Sequence, residues 1–191
     1  NDEINKELTP FSGGSRVIQE GLIAPKSILK ASLLAFALGC AVGFYLAWLR
    51  GWEILVIGAI GVFLAFFYSV PPVFLASTGL GELAVGLGFG PLPVLGAYFV
   101  QVQTFSWEAF WASLPVAALI SGVLYINEFP DLVADKAVQK NTLVVRLGKK
   151  KAIWGYLGIF LFTYFSLALA VVLKILPPLV LMVLLVLMGL V

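Results

Sequence analysis

Asn127, Asp131 and Asp135 fall four residues apart. On a helix that spacing stacks the three oxygen-bearing side chains along one face. Two carboxylates one turn apart are hard oxygen donors suited to Mg2+, which proteins usually hold through one or two carboxylates plus phosphate oxygens. A solvated helix end with ordinary surface charges has the same spacing. Pro130 stands beside Asp131. A proline inside a helix removes a backbone hydrogen bond and kinks the axis, so the helix either bends or breaks there. A second acidic group, Asp2, Glu3 and Glu7, opens the chain and precedes Thr9-Pro10-Phe11-Ser12-Gly13-Gly14-Ser15-Arg16. A Ser/Gly/Gly/Ser turn can aim backbone N–H groups at an anion. Arg16 adds a planar fork that matches phosphate. A plain connecting loop fits the same residues.

These groups must be carried by unusual elements. Of 191 residues, 61% are apolar and 12% charged, against about 45–50% and about 25% in an ordinary soluble domain. Mean hydropathy is +1.05. The composition argues against a soluble globular domain, a disordered region and a nucleic-acid-binding module. The chain has no histidine, which removes Ser/His/Asp and Cys/His triads, proximal-His haem and His-ligated zinc. Cys40 is the one cysteine, so no disulfide forms within the chain. A bilayer-crossing helix takes about 20 mostly apolar residues. Six stretches meet or approach that: 27–50, 52–70, 80–101, 107–126, 152–173 and 175–191. This predicts an all-α integral membrane bundle. It has a loop over 1–26, four spans over 27–126, a loop over 127–151 and two further spans over 152–191. The sequence starts without Met and stops while still apolar, so a middle portion of a larger protein is expected.

Six spans make the loops alternate between two sides. One side takes Lys6, Arg16, Lys26, Lys30, Lys136, Lys140, Arg146, Lys149, Lys150 and Lys151; the other takes Arg50 and Lys174. The basic side is expected to be cytoplasmic. Both acidic clusters fall on it, and two acidic clusters at one basic mouth suggest a Mg2+–diphosphate site. Glu82, in Gly79-Leu80-Gly81-Glu82, stands at the mouth of an apolar span. A carboxylate at membrane depth points to function, although a helix-end glutamate can simply reach the interface. The same span holds Gly86, Gly88, Gly90, Pro91 and Pro93, which predicts close packing and a bent or interrupted helix. Tyr68 ends the second span. Its phenol is either an interfacial anchor or a group over the mouth that bonds a phosphate or faces a cation. Glu53 and Glu108, each beside a Trp, read as interfacial anchoring.

The segment Asn127-Glu128-Phe129-Pro130-Asp131-Leu132-Val133-Ala134-Asp135-Lys136, continuing to Lys140-Asn141-Thr142-Leu143-Val144-Val145-Arg146-Leu147-Gly148, resembles the second Asp-rich motif of the UbiA superfamily of intramembrane prenyltransferases. That motif reads N-x-x-x-D-x-x-x-D with a K-x-T-L-x-V-R-L-G tail. Asn1-Asp2 resembles the start of the first motif, N-D-x-x-D-x-x-x-D. The stretches 9–18 and 79–101 are most similar to the branch that prenylates 1,4-dihydroxy-2-naphthoate for menaquinone. Three departures stand out: Asn5 where the first motif has Asp, Pro130 where the family often has Arg, and Pro72 where many relatives have Lys.

The resemblance implies nine membrane helices around a cavity, with the two Asp-rich loops facing each other over a cytoplasmic mouth. The six spans would be the third to the eighth. It implies an enzyme that uses Mg2+ to transfer an isoprenyl chain from a polyprenyl diphosphate to an aromatic acceptor, in contact with membrane lipid. Asp131 and Asp135, opposite Asp2, would hold the metal. Asn1 and Asn127 would support it, Arg16, Lys136 and Lys140 would meet the diphosphate, and Tyr68 would stabilise the allylic cation. Glu82 completes the candidate substrate-binding set. Two alternatives stay open. One is another acceptor: 4-hydroxybenzoate, a glycerol-phosphate lipid precursor or a chlorin. The other is a transporter with a cytoplasmic cation site, against which stands the placement of nearly all charges at helix ends.

Overall fold

The computed structural model describes residues 15–183. Its regular elements are all helical: α1 (Pro25–Arg50), α2 (Glu53–Ser69), α3 (Gly81–Phe89), α4 (Pro91–Val102), α5 (Trp107–Ala137) and α6 (Leu143–Val172), with 3-10 turns at Leu75–Ser77 and Pro178–Leu181. An apolar chain in lipid must satisfy its backbone internally, and helices do so within each segment. Four helical stretches are long and apolar enough to cross a membrane: Pro25–Arg50, Gly81–Val102, Trp107–Ala137 and Leu143–Val172. The shorter α2 makes five spans. The 175–191 stretch begins with the Pro178 turn, and 184–191 lie outside the described residues.

The interrupted helix expected around Pro91 and Pro93 is α3 plus α4. Gly90 takes φ −101° and ψ −95°, as a residue before proline is pushed out of the helical region. Pro91 then opens α4, and Pro93 falls in its first turn, where N–H groups have no helical partner to lose.

α5 is longer than the apolar run that predicted it. It continues through Pro115 and Pro130 to Ala137. Its 31 residues span about 46 Å at 1.5 Å per residue, against a hydrocarbon core of about 30 Å. The last three turns therefore project beyond the apolar layer. α6 likewise starts at Leu143, well before its apolar stretch. Of the expected 127–151 loop, only 138–142 is non-helical. The polar residues there ride on helix ends that outrun the bilayer.

α5 is the centre of the bundle, packed against α6, α3 and α4; α1 rests mainly on α2 and buries none of its residues. Large apolar side chains are turned outward on every span, Leu34, Trp48, Phe66, Leu83, Val123 and Phe165 among them. Loops meet at two opposite ends. At one, the Asn141 N–H donates to Ser77 O at 3.2 Å. At the other, the Gln103 side-chain amide donates to Arg50 O at 3.2 Å. The site lies at the first end.

Candidate active site

The projecting end of α5 carries the spaced acids. Pro130 cannot donate to Ile126 O, yet the helix continues past it, so it does not break there. Asn127, Asp131 and Asp135 thus stand one turn apart on one helix. Asp131 is half-buried and Asn127 likewise. Asp135 differs from the exposed ligand that its place near a helix end suggests. Its side chain is fully shielded, and the Lys140 ammonium sits 3.2 Å from it. The chain reaches this geometry by turning sharply after Ala137. Gln139 adopts φ +58°, and the Lys140 N–H bonds back to Asp135 O at 2.9 Å. Lys136, in the last turn of α5, points outward and is exposed.

The start of α6 forms the second half of the site. A helix leaves its first N–H groups without internal partners. Here three consecutive ones each find a side-chain acceptor. The Leu143 N–H donates to Glu82 Oε1 at 3.3 Å. The Val144 N–H donates to Glu128 Oε2 at 3.3 Å. The Val145 N–H donates to the capping Thr142 Oγ1 at 3.4 Å. A carboxyl oxygen that accepts a backbone N–H at a helix start is favoured by the helix dipole. Glu82 comes from α3 and Glu128 from α5, both are buried, and they interact with each other. Tyr68, at the end of α2, and Tyr125 lie within electrostatic reach of both. The Ser121 hydroxyl holds α3 to α5 by donating to Glu82 O at 2.7 Å.

Glu128 is the residue that reading the spacing of Asn and Asp passes over. Its signal is the other helical face. Tyr125, Glu128, Leu132 and Asp135 recur at i, i+3, i+7 and i+10, the inward stripe of α5. Tyr125, Glu128 and Asp135 are buried, and the Tyr125 hydroxyl donates to Ala152 O on α6 at 3.0 Å.

The tail of the motif also finds its physical reasons. Thr142 caps α6. The Arg146 Nε donates to Asn141 O at 3.0 Å. Arg146 passes over Gly79, whose φ is +71°, so closely that a Cβ there would lie 3.2 Å from Nε. Gly148 sits at φ +72° and ψ 153° inside α6, a combination open essentially to glycine alone. It bends the helix between its first turns and the Lys149-Lys150-Lys151 run that leads into its apolar body.

Residues 12–191 match the model of the UbiA prenyltransferase family. The chain belongs to that family. Among similar proteins is a Bacillus subtilis 1,4-dihydroxy-2-naphthoate octaprenyltransferase, 28% identical over 73% of this chain and 45% of the relative. A Mycobacterium tuberculosis protein of the same name is 33% identical over 77% of this chain and 50% of the relative. A Synechocystis 2-carboxy-1,4-naphthoquinone phytyltransferase is 36% identical over 53% of this chain and 33% of the relative. The chain spans about half the length of the first two. No solved structure matches it.

UbiA membership and the four long apolar helices make this an integral membrane protein. The structure sorts the candidate residues into two groups at one end of this UbiA bundle. Asp131, Asp135, Lys136 and Lys140 cluster where α5 turns; Tyr68 and Glu82 meet Glu128 at the start of α6. Arg16 lies in the turn before α1, with φ +52°. Asn1 and Asp2 lie outside the described residues. Among the described residues, no three His, Cys, Asp or Glu side chains gather closely enough to hold a metal. The pair Asp131 and Asp135 still suits Mg2+, because two carboxylates leave positions for phosphate oxygens. Asp135 already seats a cation, the Lys140 ammonium. Between α3, α4, α5 and α6 lies an apolar cavity of about 410 Å³, lined by Leu83, Leu87, Ala118, Ser121, Gly158 and Phe162 among others. Through Ser121 it adjoins Glu82.

Proposed function

We propose that this chain carries the diphosphate end of a membrane prenyltransferase. The enzyme would transfer an isoprenyl chain from a polyprenyl diphosphate to 1,4-dihydroxy-2-naphthoate in menaquinone synthesis. The observation that carries the reading is Asp131 and Asp135, one turn apart where α5 leaves the apolar layer, with Lys140 on Asp135. The relatives named for naphthoate prenyl transfer support the acceptor. The excess of Lys and Arg at this end supports a cytoplasmic mouth.

In this reading Asp131 and Asp135, with Asp2, hold Mg2+, which when bound neutralises the charge of the departing diphosphate. Asn1 and Asn127 steady the same shell by hydrogen bonding. Lys140, Lys136 and Arg16 supply cationic donors to the diphosphate. Tyr68 offers an aromatic face to the allylic cation left when the C–O bond ionises. The apolar cavity receives the prenyl chain and excludes the water that would quench that cation. The acceptor ring attacks and loses either CO2 or a proton, the latter taken by a carboxylate or the released diphosphate.

The test is diphosphate release by the full-length protein in detergent or liposomes, with geranylgeranyl diphosphate and 1,4-dihydroxy-2-naphthoate, with and without Mg2+. Mg2+-dependent release with a prenylated naphthoate product is expected. Release without that product would overturn the acceptor. No release with any donor would overturn the enzyme.

A further inference from the structure

We propose that Glu82 and Glu128 are a two-carboxylate clamp that positions the metal end of the site. The clamp fixes the start of α6 and, through Glu128 and the 138–142 loop, the end of α5 that carries Asp131 and Asp135. This rests on the reading of Asp131 and Asp135 as metal ligands.

Both glutamates are almost fully buried, at 5% and 6% exposure. Burying a carboxylate costs free energy unless it is hydrogen-bonded. Each spends an oxygen on a backbone N–H of the same helix turn, Leu143 for Glu82 and Val144 for Glu128. Contacts to two successive N–H groups from two different helices fix where α6 begins and how it is rotated. Val144 and Thr142 are themselves buried, so this end has little room to shift.

The loop between the clamp and α5 has five residues and is tied along its length. The Val138 N–H bonds Ala134 O at 3.3 Å, the Lys140 N–H bonds Asp135 O at 2.9 Å, and the Asn141 N–H bonds Ser77 O at 3.2 Å. So short a tether transmits any movement of α6 to the end of α5 and its Asp135. Glu128 also shares the inward stripe of α5 with Asp135, two turns along, so one helix carries both the clamp and the ligand it serves. A second consequence follows. Helix N-termini commonly bind phosphate, but the first turn of α6 already holds two carboxylates. The diphosphate must then be met by side chains and metal. Glu82 and Glu128 act on α6, not on the substrate.

The experiment compares Glu82→Ala, Glu128→Ala, Glu82→Gln and Glu128→Gln in the full-length protein. Three quantities are read: the Mg2+ concentration for half-maximal diphosphate release, the melting temperature in detergent, and hydrogen exchange of the 138–145 amides. Losing a group that orients metal ligands typically weakens metal affinity 10–100-fold. The alanine variants are expected to raise the half-maximal Mg2+ at least about tenfold and to speed exchange at 143 and 144. The glutamine variants, which keep an acceptor oxygen, should recover most of both. Alanine variants that melt lower but keep the wild-type Mg2+ requirement would overturn the clamp's positioning role. Unchanged exchange at 143 and 144 would overturn the clamp itself. If the wild-type protein shows no Mg2+-dependent release, the functional reading fails, and the exchange data alone then decide whether the clamp exists.

Discussion

The Lys140 ammonium lies 3.2 Å from the Asp135 carboxylate, and the Asp135 side chain is entirely shielded while Lys140 keeps part of its surface in solvent. The two are five residues apart, joined by the turn that ends α5. Lys140 can therefore swing outward without moving Asp135, whereas Asp135 has no such freedom. If Mg2+ and diphosphate bind here as proposed, the ammonium would move from carboxylate to phosphate.

Substitutions at the two positions should then differ in kind. Lys140→Met is expected to raise the donor KM by about tenfold or more, the loss of one charge-assisted contact, with the Mg2+ requirement lowered because the competing ammonium is gone. Asp135→Asn should reduce kcat on the order of a hundredfold at any Mg2+ concentration. Steady-state kinetics across a Mg2+ titration distinguish the two. A Lys140→Met enzyme that needs more Mg2+ than wild type would refute the exchange.

Asp131 offers a cleaner test of metal binding than Asp135. It is half-buried at the flank of the inward stripe, so Asp131→Ala should abolish turnover and lower stability by less than Asp135→Ala does. Asp135→Ala empties a fully buried position and should lower the melting temperature as well. Thermal unfolding in detergent beside diphosphate release checks both. Near wild-type turnover in Asp131→Ala would remove it from the metal site.

Much of this architecture is legible in the sequence, for identifiable reasons. The apolar runs locate the spans because lipid leaves the backbone no alternative to helix. Pro91 marks the break after Gly90 because proline forbids its neighbour the helical region. Pro130 leaves bend or break undecided in the sequence, and α5 continues past it because one lost hydrogen bond does not end a helix held by packing on α6. The extents of α5 and α6 beyond the membrane escape a hydropathy count, which sees only apolar length. Glu128 escapes a search for spaced acids because its partners, Glu82 and the N–H of Val144, come from other helices. That long-range convergence leaves no local pattern.

Gly148 should be hard to replace. At φ +72° and ψ 153°, a side chain costs about 1–3 kcal/mol, and no neighbour within 4 Å would meet the added Cβ. Gly148→Ala therefore isolates backbone strain from crowding. The expected result is a lower melting temperature in detergent, with faster exchange at the bend in α6. A variant as stable as wild type would mean that α6 runs straight there.

The cavity supplies a test of donor length. Gly158 lines it, and a Cβ on Gly158 meets nothing within 4 Å. Gly158→Leu should fill space without displacing backbone. If the prenyl chain lies here, kcat/KM for a long donor should fall about tenfold or more, while a short donor is affected far less. Turnover of geranyl against octaprenyl diphosphate reads the ratio directly. Equal losses on both donors would place the chain elsewhere.

Membrane orientation can be fixed independently of activity. The 138–142 loop and the Lys149–Lys150–Lys151 run lie at the end of the bundle that carries the site, and Arg50 and Gln103 meet at the other. Cys40 is the one cysteine of these 191 residues, so Cys40→Ser, with any cysteine elsewhere in the full-length protein also replaced by serine, gives a background for single-cysteine reporters. Lys150→Cys and Arg50→Cys in right-side-out cells should then react oppositely with a membrane-impermeant thiol reagent. Arg50→Cys is expected to be labelled from outside, and Lys150→Cys only after the membrane is opened, because basic loops stay in the cytoplasm. The reverse pattern would place the Asp131–Asp135 mouth outside. Polyprenyl diphosphate made in the cytoplasm could not then reach it directly, and the transfer reaction proposed for this end of the bundle would lose its donor.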